Sequence, residues 1–204
     1  MSARIYDNSR RKQSEAATIE RIVEATVGLH AEKGALATSH ADIAQAAGVS
    51  VATVYKHFPS RDALIPYCTG LVQAQAPAID ADLVLAGADP QERIARLVRA
   101  VHAHYAFMHP WMRWSGRDVP ALPALQRIVQ EGQAGMESRL RALLAECCAR
   151  PLAETDLALA LALLDYSTWE KLGRLLGDAG RSAQAVGRGL CAILLEPPVS
   201  KGKR

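Results

Sequence analysis

Residues 50–57 bring together short polar, aromatic and basic side chains whose chemistry suits nucleic acid. Ser50 and Thr53 carry hydroxyl groups, and short polar side chains at the start of a helix can reach the edges of DNA bases. The free amides of such a helix start, together with the positive end of its dipole, favour a phosphate group. Tyr55, Lys56 and His57 follow directly. These residue types therefore indicate a helix that contacts DNA, provided that the neighbouring chain presents it outward.

The flanking residues predict a helix-turn-helix unit that would hold this segment in place. Ser39 and Asp42 have the three-residue spacing of a cap that satisfies the first free amides of a helix. Gly48 falls where this helix must stop, because glycine enters the left-handed backbone region at little cost. Ser50 can cap a second helix, which ends before Pro59. Two short helices joined by a glycine turn are the unit whose second helix enters the major groove of DNA.

The stretch 42–64 resembles the DNA-binding domain of the tetracycline-repressor (TetR) family of bacterial regulators. More than a dozen positions match in order and without gaps, as Asp-Ile-Ala-x-x-Ala-Gly-Val-Ser-x-x-Thr-x-Tyr-x-His-Phe-x-Ser-Arg-x-x-Leu. The resemblance implies phosphate contacts from the end of the second helix and from the starts of the helices on either side of it, and base contacts from the start of the second helix. The residues predicted to contact DNA are Ser39, His40, Ser50, Val51, Ala52, Thr53, Tyr55, Lys56, His57 and Arg61.

Three positions depart from the pattern of the family. Val51 and Ala52 stand where a longer polar residue often reads a base, and Ala41 stands where some members carry an arginine. We therefore expect direct readout to rest on few hydrogen bonds, with apolar contacts to thymine methyl groups and the shape of the DNA contributing more.

The composition predicts an all-α protein whose basic character is local. Half of the 204 residues are hydrophobic, and their spacing follows helical rather than strand periodicity. The net charge of +3 excludes a protein that binds DNA through bulk charge alone. Basic residues concentrate at the two ends, where 1–14 reads as a polar arm: Arg4, Arg10, Arg11 and Lys12 beside Asp7, and then Lys201, Lys203 and Arg204.

Other features of the sequence predict a cytoplasmic protein. No apolar stretch reaches the roughly 20 residues that a membrane span requires, and the N-terminus is polar rather than signal-like. The four cysteines, at positions 68, 147, 148 and 191, have neither metal-ligand nor disulfide-framework spacing, which suits reduced thiols.

Capping residues, prolines and apolar periodicity divide the chain into about nine helices. The fourth should begin at Ser60, hold Pro66 in its early turns and kink or end at Pro77. The fifth should stop at His109 and Pro110. The remaining helices beside the helix-turn-helix unit are expected over 14–33, 91–108, 124–149, 154–176 and 181–195, with a short helix and loops over 111–123. We predict two domains: an arm and DNA-binding domain over 1–60, and a helical ligand-binding and dimerisation domain over 61–204.

Apolar side chains form a seam along the last two predicted helices. Such a seam could close the core of the monomer, but the resemblance favours pairing with the same helices of a second copy about a two-fold axis. A homodimer of this kind would place two recognition helices in successive major grooves, so the operator should be an approximate palindrome. The predicted interface residues are Leu157, Leu161, Leu164, Thr168, Leu172, Leu175, Val186, Leu190 and Ile193.

Aromatic residues and methionines concentrate in the middle of the second domain, where they can line an apolar pocket. Core packing explains each of them when it is considered alone. By resemblance the ligand would be a small, largely apolar molecule, and no cofactor is expected. The candidate pocket residues are Tyr67, Tyr105, Met108, Trp111, Trp114, Met136, Tyr166 and Trp169.

Metal, redox and enzymatic sites receive little support from the sequence. His102 and His104 are two residues apart and point to different faces of a helix, and the adjacent Cys147 and Cys148 also diverge. There is no phosphate-binding loop and no nucleophile motif. The expected function is a homodimeric repressor released by a ligand. The alternatives that stay open are an activator and a regulator controlled by a protein partner.

Overall fold

The protein is all-α over residues 9–195, the part of the chain that this computed structural model describes, with side chains from residue 11. This agrees with the predicted fold class, although eleven α-helices and one 3-10 helix replace the expected nine. The helices are α1 Ser9–Lys33, α2 His40–Ala47, α3 Val51–His57, α4 Arg61–Gln75, α5 Ala81–Leu85, α6 Pro90–Met112, α7 Ser115–Asp118, α8 Pro123–Cys148, α9 Glu154–Leu163, α10 Tyr166–Leu176 and α11 Ala179–Leu195, with the 3-10 helix Val119–Ala121 before α8.

Two predicted helix ends are wrong, because charged residues at the start of α1 and a proline near the end of α6 were taken as signs that the helix does not extend through them. α1 begins at Ser9 rather than at residue 14, since arginine, lysine and glutamine in this stretch are good helix formers. α6 continues through Pro110 to Met112, and the amide of Arg113 still donates to the carbonyl of His109 at 3.1 Å. A proline so close to the end of a helix removes only one backbone hydrogen bond. The basic tail and residues 1–8 of the predicted arm lie outside the described residues.

The predicted helix over 154–176 is two helices. α9 ends at Leu163, and Asp165 then caps α10 by accepting a hydrogen bond from the amide of Ser167 at 2.8 Å. Asp165 has extended backbone angles, φ −75° and ψ 150°, so the chain turns between the two helices. The short α5 was not predicted, whereas Pro66 lies in the second turn of α4 as expected.

The chain divides into two compact units, each formed from two stretches of the sequence. Unit 1 comprises the described residues up to Gln75 together with His109–Gln130. Unit 2 comprises Ala76–Met108 together with the described residues from Glu131 onward. Unit 1 therefore contains α4 as well as the helix-turn-helix unit.

The core of unit 1 is assembled from one face of each of its first four helices. Ile22 and Val23 of α1, Ile43 of α2, Val54 of α3 and Leu64 of α4 are buried in one cluster, with Ala44, Ala47, Phe58 and Cys68. Burial of this many apolar side chains is the main force that holds the two short helices of the unit together. α3 contributes only Val54 from its own seven residues, so the rest of this helix stays available.

The core of unit 2 draws on both of its long helices and on the C-terminal ones. Its buried residues include Leu97 and Val101 of α6, Leu144 of α8, Leu164 beside α9, and Leu190 of α11. α11 packs against α9 and α10. Within the part of the chain described here, every helix is too short or too polar to cross a membrane.

Candidate nucleic-acid interface

The first helix of the helix-turn-helix unit begins with the predicted cap. Ser39 accepts a hydrogen bond from the amide of Asp42 at 3.1 Å, and the Asp42 carboxylate accepts one from the amide of Ser39 at 2.8 Å. Lys33 at the end of α1 forms an ion pair with Asp42 at 2.8 Å. The hydrogen bonds from Lys33 and Ser39 hold the pKa of the Asp42 carboxyl well below its usual range. The start of α2 is therefore fastened to the end of α1.

Gly48 makes the turn between the two helices in the left-handed conformation that the sequence predicts. Its φ is +64° and its ψ is 40°, which only glycine adopts at little cost. The amide of Val49 closes the turn by donating to the carbonyl of Ala44 at 3.0 Å. Ser50 then caps α3 by accepting from the amide of Thr53 at 3.1 Å, and the two hydroxyl groups lie 2.8 Å apart. Residues of the turn itself thus set the orientation of α3 relative to α2.

α3 presents most of its side chains to solvent. Val54 and the following Phe58 are buried, whereas Val51, Ala52 and Tyr55 are exposed and Thr53 is half-buried. The Lys56 side chain is 67% exposed. The His57 side chain is only 9% exposed, so it is largely covered and can offer a ligand no more than one edge of its ring.

A contact that the sequence did not reveal orients Tyr55. The rings of Tyr55 and His40 are stacked, with centroids 4.3 Å apart and planes 2° from parallel. His40 Nε2 lies 2.9 Å from the carbonyl oxygen of Phe58, and because a carbonyl only accepts, this nitrogen carries the proton. His40 thereby joins the start of α2 to the end of α3, and the phenol of Tyr55 is held against it.

Four of the predicted DNA-contact residues line one shallow, open concavity. Ser39 and His40 come from the start of α2, Tyr55 from α3 and Arg61 from the start of α4, and the lining is completed by Pro59, Ser60, Asp62 and Leu122. The Arg61 guanidinium donates to the carbonyl of Thr38 at 3.0 Å, which holds it beside the start of α2. The phenol of Tyr55 and the remaining guanidinium donors of Arg61, beside the start of a helix, form a surface suited to a phosphate oxygen.

A segment before α8, distant in sequence, supports the loop that leads from α1 to α2. Asp118 is 2% exposed and accepts hydrogen bonds from the amides of Ala35 at 2.6 Å and Leu36 at 3.3 Å. Arg117 pairs with Asp118 at 2.7 Å and also donates to the carbonyl of Lys33 at 2.7 Å. These contacts satisfy backbone groups at the end of α1 and in the loop that leads to α2.

The candidate ligand residues are divided between the two units. In unit 2, Tyr105, Tyr166 and Trp169 form one aromatic cluster, in which the ring centroids lie 5.6–6.2 Å apart. Tyr105 is buried and its hydroxyl donates to the carbonyl of Leu164 at 3.1 Å. Burial, followed by the charge of Asp165, raises the pKa of Tyr105 to about 12. Met108 and Met136 belong to the same unit and are half-buried.

The other three candidates lie in unit 1, where they contact α1 and the end of α3. The indole of Trp111 donates to the carbonyl of Val27 at 2.9 Å, and that of Trp114 donates to the carbonyl of Ala31 at 3.2 Å. Tyr67 is exposed and packs edge-on against Phe58, with centroids 5.2 Å apart. These residues brace α1 and α3, a role that the composition of the segment does not indicate.

One buried polar atom in unit 2 has no protein partner among the described residues. His102 is 8% exposed, and its Nδ1 accepts and donates no hydrogen bond there. Burial lowers the pKa of this imidazole, which favours its neutral form. His104, two residues further along α6, instead places Nδ1 3.1 Å from the carbonyl oxygen of Pro77. No group of three potential metal ligands occurs between residues 9 and 195.

The predicted interface residues differ in how deeply they are buried in the single chain. Leu164, Val186 and Leu190 are at most 1% exposed in the single chain, so their side chains pack inside the monomer and supply no area for a partner. Leu175 is exposed, and the remaining five residues are half-buried: Leu157, Leu161, Thr168, Leu172 and Ile193. The apolar seam thus divides into an inner set, which closes unit 2, and an outer set.

Comparison with known proteins finds a family whose pattern matches this segment. Residues 22–68 match the family described as "Bacterial regulatory proteins, tetR family". The HTH-type transcriptional regulator LuxR of Vibrio harveyi is 30% identical over 100 residues, which are 47% of this chain and 49% of that protein. The uncharacterized HTH-type transcriptional regulator YerO of Bacillus subtilis (strain 168) is 34% identical over 85 residues, 40% of this chain and 29% of that protein. The chain thus spans half or less of the length of these curated relatives.

Solved structures of similar proteins cover most of the chain. The TetR family transcriptional regulator PfmR of Thermus thermophilus is 25% identical, with a TM-score of 0.56 over 87% of this chain and 100% of that one. A transcriptional regulator from Rhodococcus sp. Rha1 is 22% identical, with a TM-score of 0.61 over 87% of this chain and 96% of that one. The multidrug binding protein EbrR, complexed with imidazole, is 19% identical, with a TM-score of 0.54 over 98% of this chain and 100% of that one. The last two establish likeness of fold alone.

Proposed function

We propose that this chain is a member of the TetR family of bacterial transcriptional regulators and acts as a homodimeric repressor that a small ligand releases from a palindromic operator. The observation that carries the proposal is the outward presentation of α3. Only Val54 of this helix is buried, while Val51, Tyr55 and Lys56 are exposed, and the helix follows a turn whose geometry is fixed by Gly48 and Ser50. A capped, outward helix of this kind fits the major groove of duplex DNA.

The residues around α3 divide the recognition of DNA between phosphates and bases. Lys56 and Tyr55 bind backbone phosphates, and the concavity at Ser39, His40 and Arg61 receives a neighbouring phosphate. Ser50 and Thr53 already share a hydrogen bond, so each hydroxyl has limited capacity left for a base. Val51 and Ala52 contribute apolar contact with thymine methyl groups. Shape and deformability of the operator therefore supply much of the specificity.

The outer set of apolar residues on α9–α11 joins two copies of the chain. A two-fold axis through this surface would present two copies of α3 to successive major grooves, which makes the operator an approximate palindrome. Binding of chromosomal DNA places the protein in the cytoplasm.

The aromatic cluster of unit 2 receives the effector. Tyr105, Tyr166 and Trp169 offer ring faces to a small, largely apolar molecule, and His102 supplies a polar atom that needs a partner. EbrR, a fold relative, is a multidrug binding protein that has been crystallised with imidazole. Release requires only that the effector bind a non-DNA-binding conformation more tightly than the DNA-binding one.

Selection from a library of random duplexes tests the DNA-binding part of the proposal. The purified chain should enrich an approximate palindrome whose half-sites lie about 10 base pairs, or a multiple of this spacing, apart. Lys56→Ala should weaken binding to every duplex and reduce the slope of log affinity against log salt by about 1, because one phosphate contact is lost.

Arg139→Ala is the matched control, since it removes one positive charge from an exposed position on α8 in unit 2. Failure to enrich any sequence, or equal losses in the two variants, would contradict the assignment of α3. On the selected duplex, small aromatic compounds that quench Trp169 fluorescence should also lower DNA affinity, and quenching without loss of affinity would contradict release.

A further inference from the structure

Glu15 of α1 lies beside the two basic residues at the end of α3. Its Oε1 atom is 3.7 Å from Nζ of Lys56 and 3.9 Å from Nδ1 of His57. Between residues 11 and 195 these are the only contacts of α3 within ion-pair distance, and the one with His57 is an ion pair only when its imidazole is protonated. A single carboxylate oxygen thus faces both of the groups that the sequence assigns to backbone phosphates.

The geometry of this contact makes it easy to break. Both distances exceed the 2.7–2.9 Å of a strong charge-assisted hydrogen bond, roughly by 1 Å. The side chains of Glu15 and Lys56 are 45% and 67% exposed, so water competes with the pairing. Exposed pairs of this kind contribute little to folding. Another anion can therefore displace the Glu15 carboxylate from Lys56. The carboxylate then affects the binding of anions by Lys56 more than it affects folding.

We infer that Glu15 competes with the DNA backbone for Lys56 and His57 and thereby lowers the affinity of the protein for any duplex. Two effects act in the same direction. The carboxylate offsets part of the charge of Lys56 in the free protein, and it repels a phosphate that approaches the same ammonium group. At about 4 Å in water, the interaction of two unit charges corresponds to a roughly fivefold change in an equilibrium constant.

This role would matter because α3 offers few base-reading groups. Phosphate contacts supply the part of affinity that is independent of sequence. Because α3 has Val51 and Ala52 at its outer face, few of its groups distinguish the operator, and strong phosphate contacts would hold the protein on non-specific DNA as well. A carboxylate that weakens them keeps the protein from remaining on non-specific sites, which greatly outnumber the operator. The inference rests on the proposed DNA-binding function.

The test compares Glu15→Gln with Glu24→Gln on a non-specific duplex of about 30 base pairs. Glu24 is exposed on the same helix, nine residues away, and it takes part in no ion pair among the described residues. This spacing corresponds to about 13 Å along the helix, beyond the Debye length of about 10 Å at 0.1 M salt. The two substitutions make the same change in net charge.

Glu15→Gln should tighten binding about threefold to tenfold at about 0.1 M salt, and the gain should shrink as salt increases. Glu24→Gln should change affinity less than about twofold. In a Lys56→Ala background, most of the gain from Glu15→Gln should disappear, because the group for which the carboxylate competes is gone. Equal effects of the two glutamine variants, or a full gain without Lys56, would overturn the inference.

Failure of the inference is distinguishable from failure of the proposed function. If the wild-type chain binds the duplex and Lys56→Ala weakens it, while Glu15→Gln changes nothing, only the role of Glu15 is refuted. If neither the wild type nor any variant binds duplex DNA, both are refuted. Unfolding by urea verifies that Glu15→Gln is folded, and Glu15→Asp, which keeps the carboxylate, should bind more like the wild type than like the glutamine variant.

Discussion

His30 is a residue whose surroundings decide its charge. It lies in the last turn of α1, where burial lowers the pKa of its imidazole from 6.5 to about 4. The neighbouring Asp118 raises this pKa and Arg61 lowers it, but both effects are smaller than that of burial. His30 is therefore neutral at neutral pH and adds no positive charge to the DNA-binding unit.

The shifted pKa of His30 predicts a loss of stability in mild acid. Between pH 6.5 and about 4 the unfolded chain binds a proton at this residue and the folded chain does not, so the free energy of unfolding falls as the pH falls. The contribution is complete above pH 6.5 and amounts to at most about 3 kcal/mol. His30→Gln should reduce this dependence. Urea unfolding of both proteins at about pH 7 and about pH 4.5 measures the difference, and parallel losses would contradict the role of His30.

The residues of the candidate site differ in how far the sequence could predict them. Ser39, Asp42, Gly48 and Ser50 were predictable because caps and a left-handed turn are determined by residues three or four positions apart. The stacking of His40 on Tyr55 depends on how two helices pack, which no local pattern encodes. The covering of the His57 ring was missed for the same reason.

At the scale of elements, the helix-turn-helix unit depends on a segment more than eighty residues away in sequence. Asp118 accepts two amide hydrogens of the loop between α1 and α2, and Arg117 and Trp114 donate to carbonyl oxygens at the end of α1. A loop without such partners would leave buried backbone groups unsatisfied. The position of α2, and with it that of the concavity, therefore depends on α7.

Asp118→Ala should destabilise the protein by roughly 2–3 kcal/mol, since it leaves the buried amide of Ala35 without its acceptor and Arg117 without its partner. Asp80→Ala is the matched control, because Asp80 is an exposed cap that accepts only from the amide of Leu83, and its loss should cost about 1 kcal/mol. Urea unfolding measures both values. Equal costs would contradict a special role for the buried carboxylate.

Helix boundaries show where periodicity misleads. Leucines continue at helical spacing from α9 into α10, so the break was hidden, although Asp165 followed by Ser167 is a capping signal. Pro110 was taken as a stop because proline disrupts helix interiors, but it lies in the last turn of α6. The existence and type of the long helices were predictable, whereas their ends depended on contacts that the sequence does not display.

At the scale of the whole molecule, burial separates the apolar seam into residues that fold the monomer and residues that can join two copies. The seam over α9–α11 was predicted as an interface because the resemblance favours pairing of these helices, and its spacing does not distinguish residues that close the core of the monomer. Leu164, Val186 and Leu190 are instead closed inside unit 2. Charged substitutions at these positions would unfold the chain before they revealed anything about association. A test of the dimer must therefore use the outer set.

Leu175 is the suitable position, because its side chain lies on α10 and is 70% exposed in the single chain. Leu175→Arg should leave folding intact and convert the proposed dimer into monomers, since an unpaired charge buried in an apolar interface is strongly unfavourable. Leu83→Arg is the matched control: Leu83 is 66% exposed but lies on α5, outside the proposed interface. Light scattering after size-exclusion chromatography should give a monomer for the first variant and a dimer for the second.

The monomer should also lose most of its affinity for a selected palindrome while keeping weak binding to single half-sites, because only the link between two α3 helices is lost. A dimer that survives Leu175→Arg with full operator affinity would place the interface on another surface.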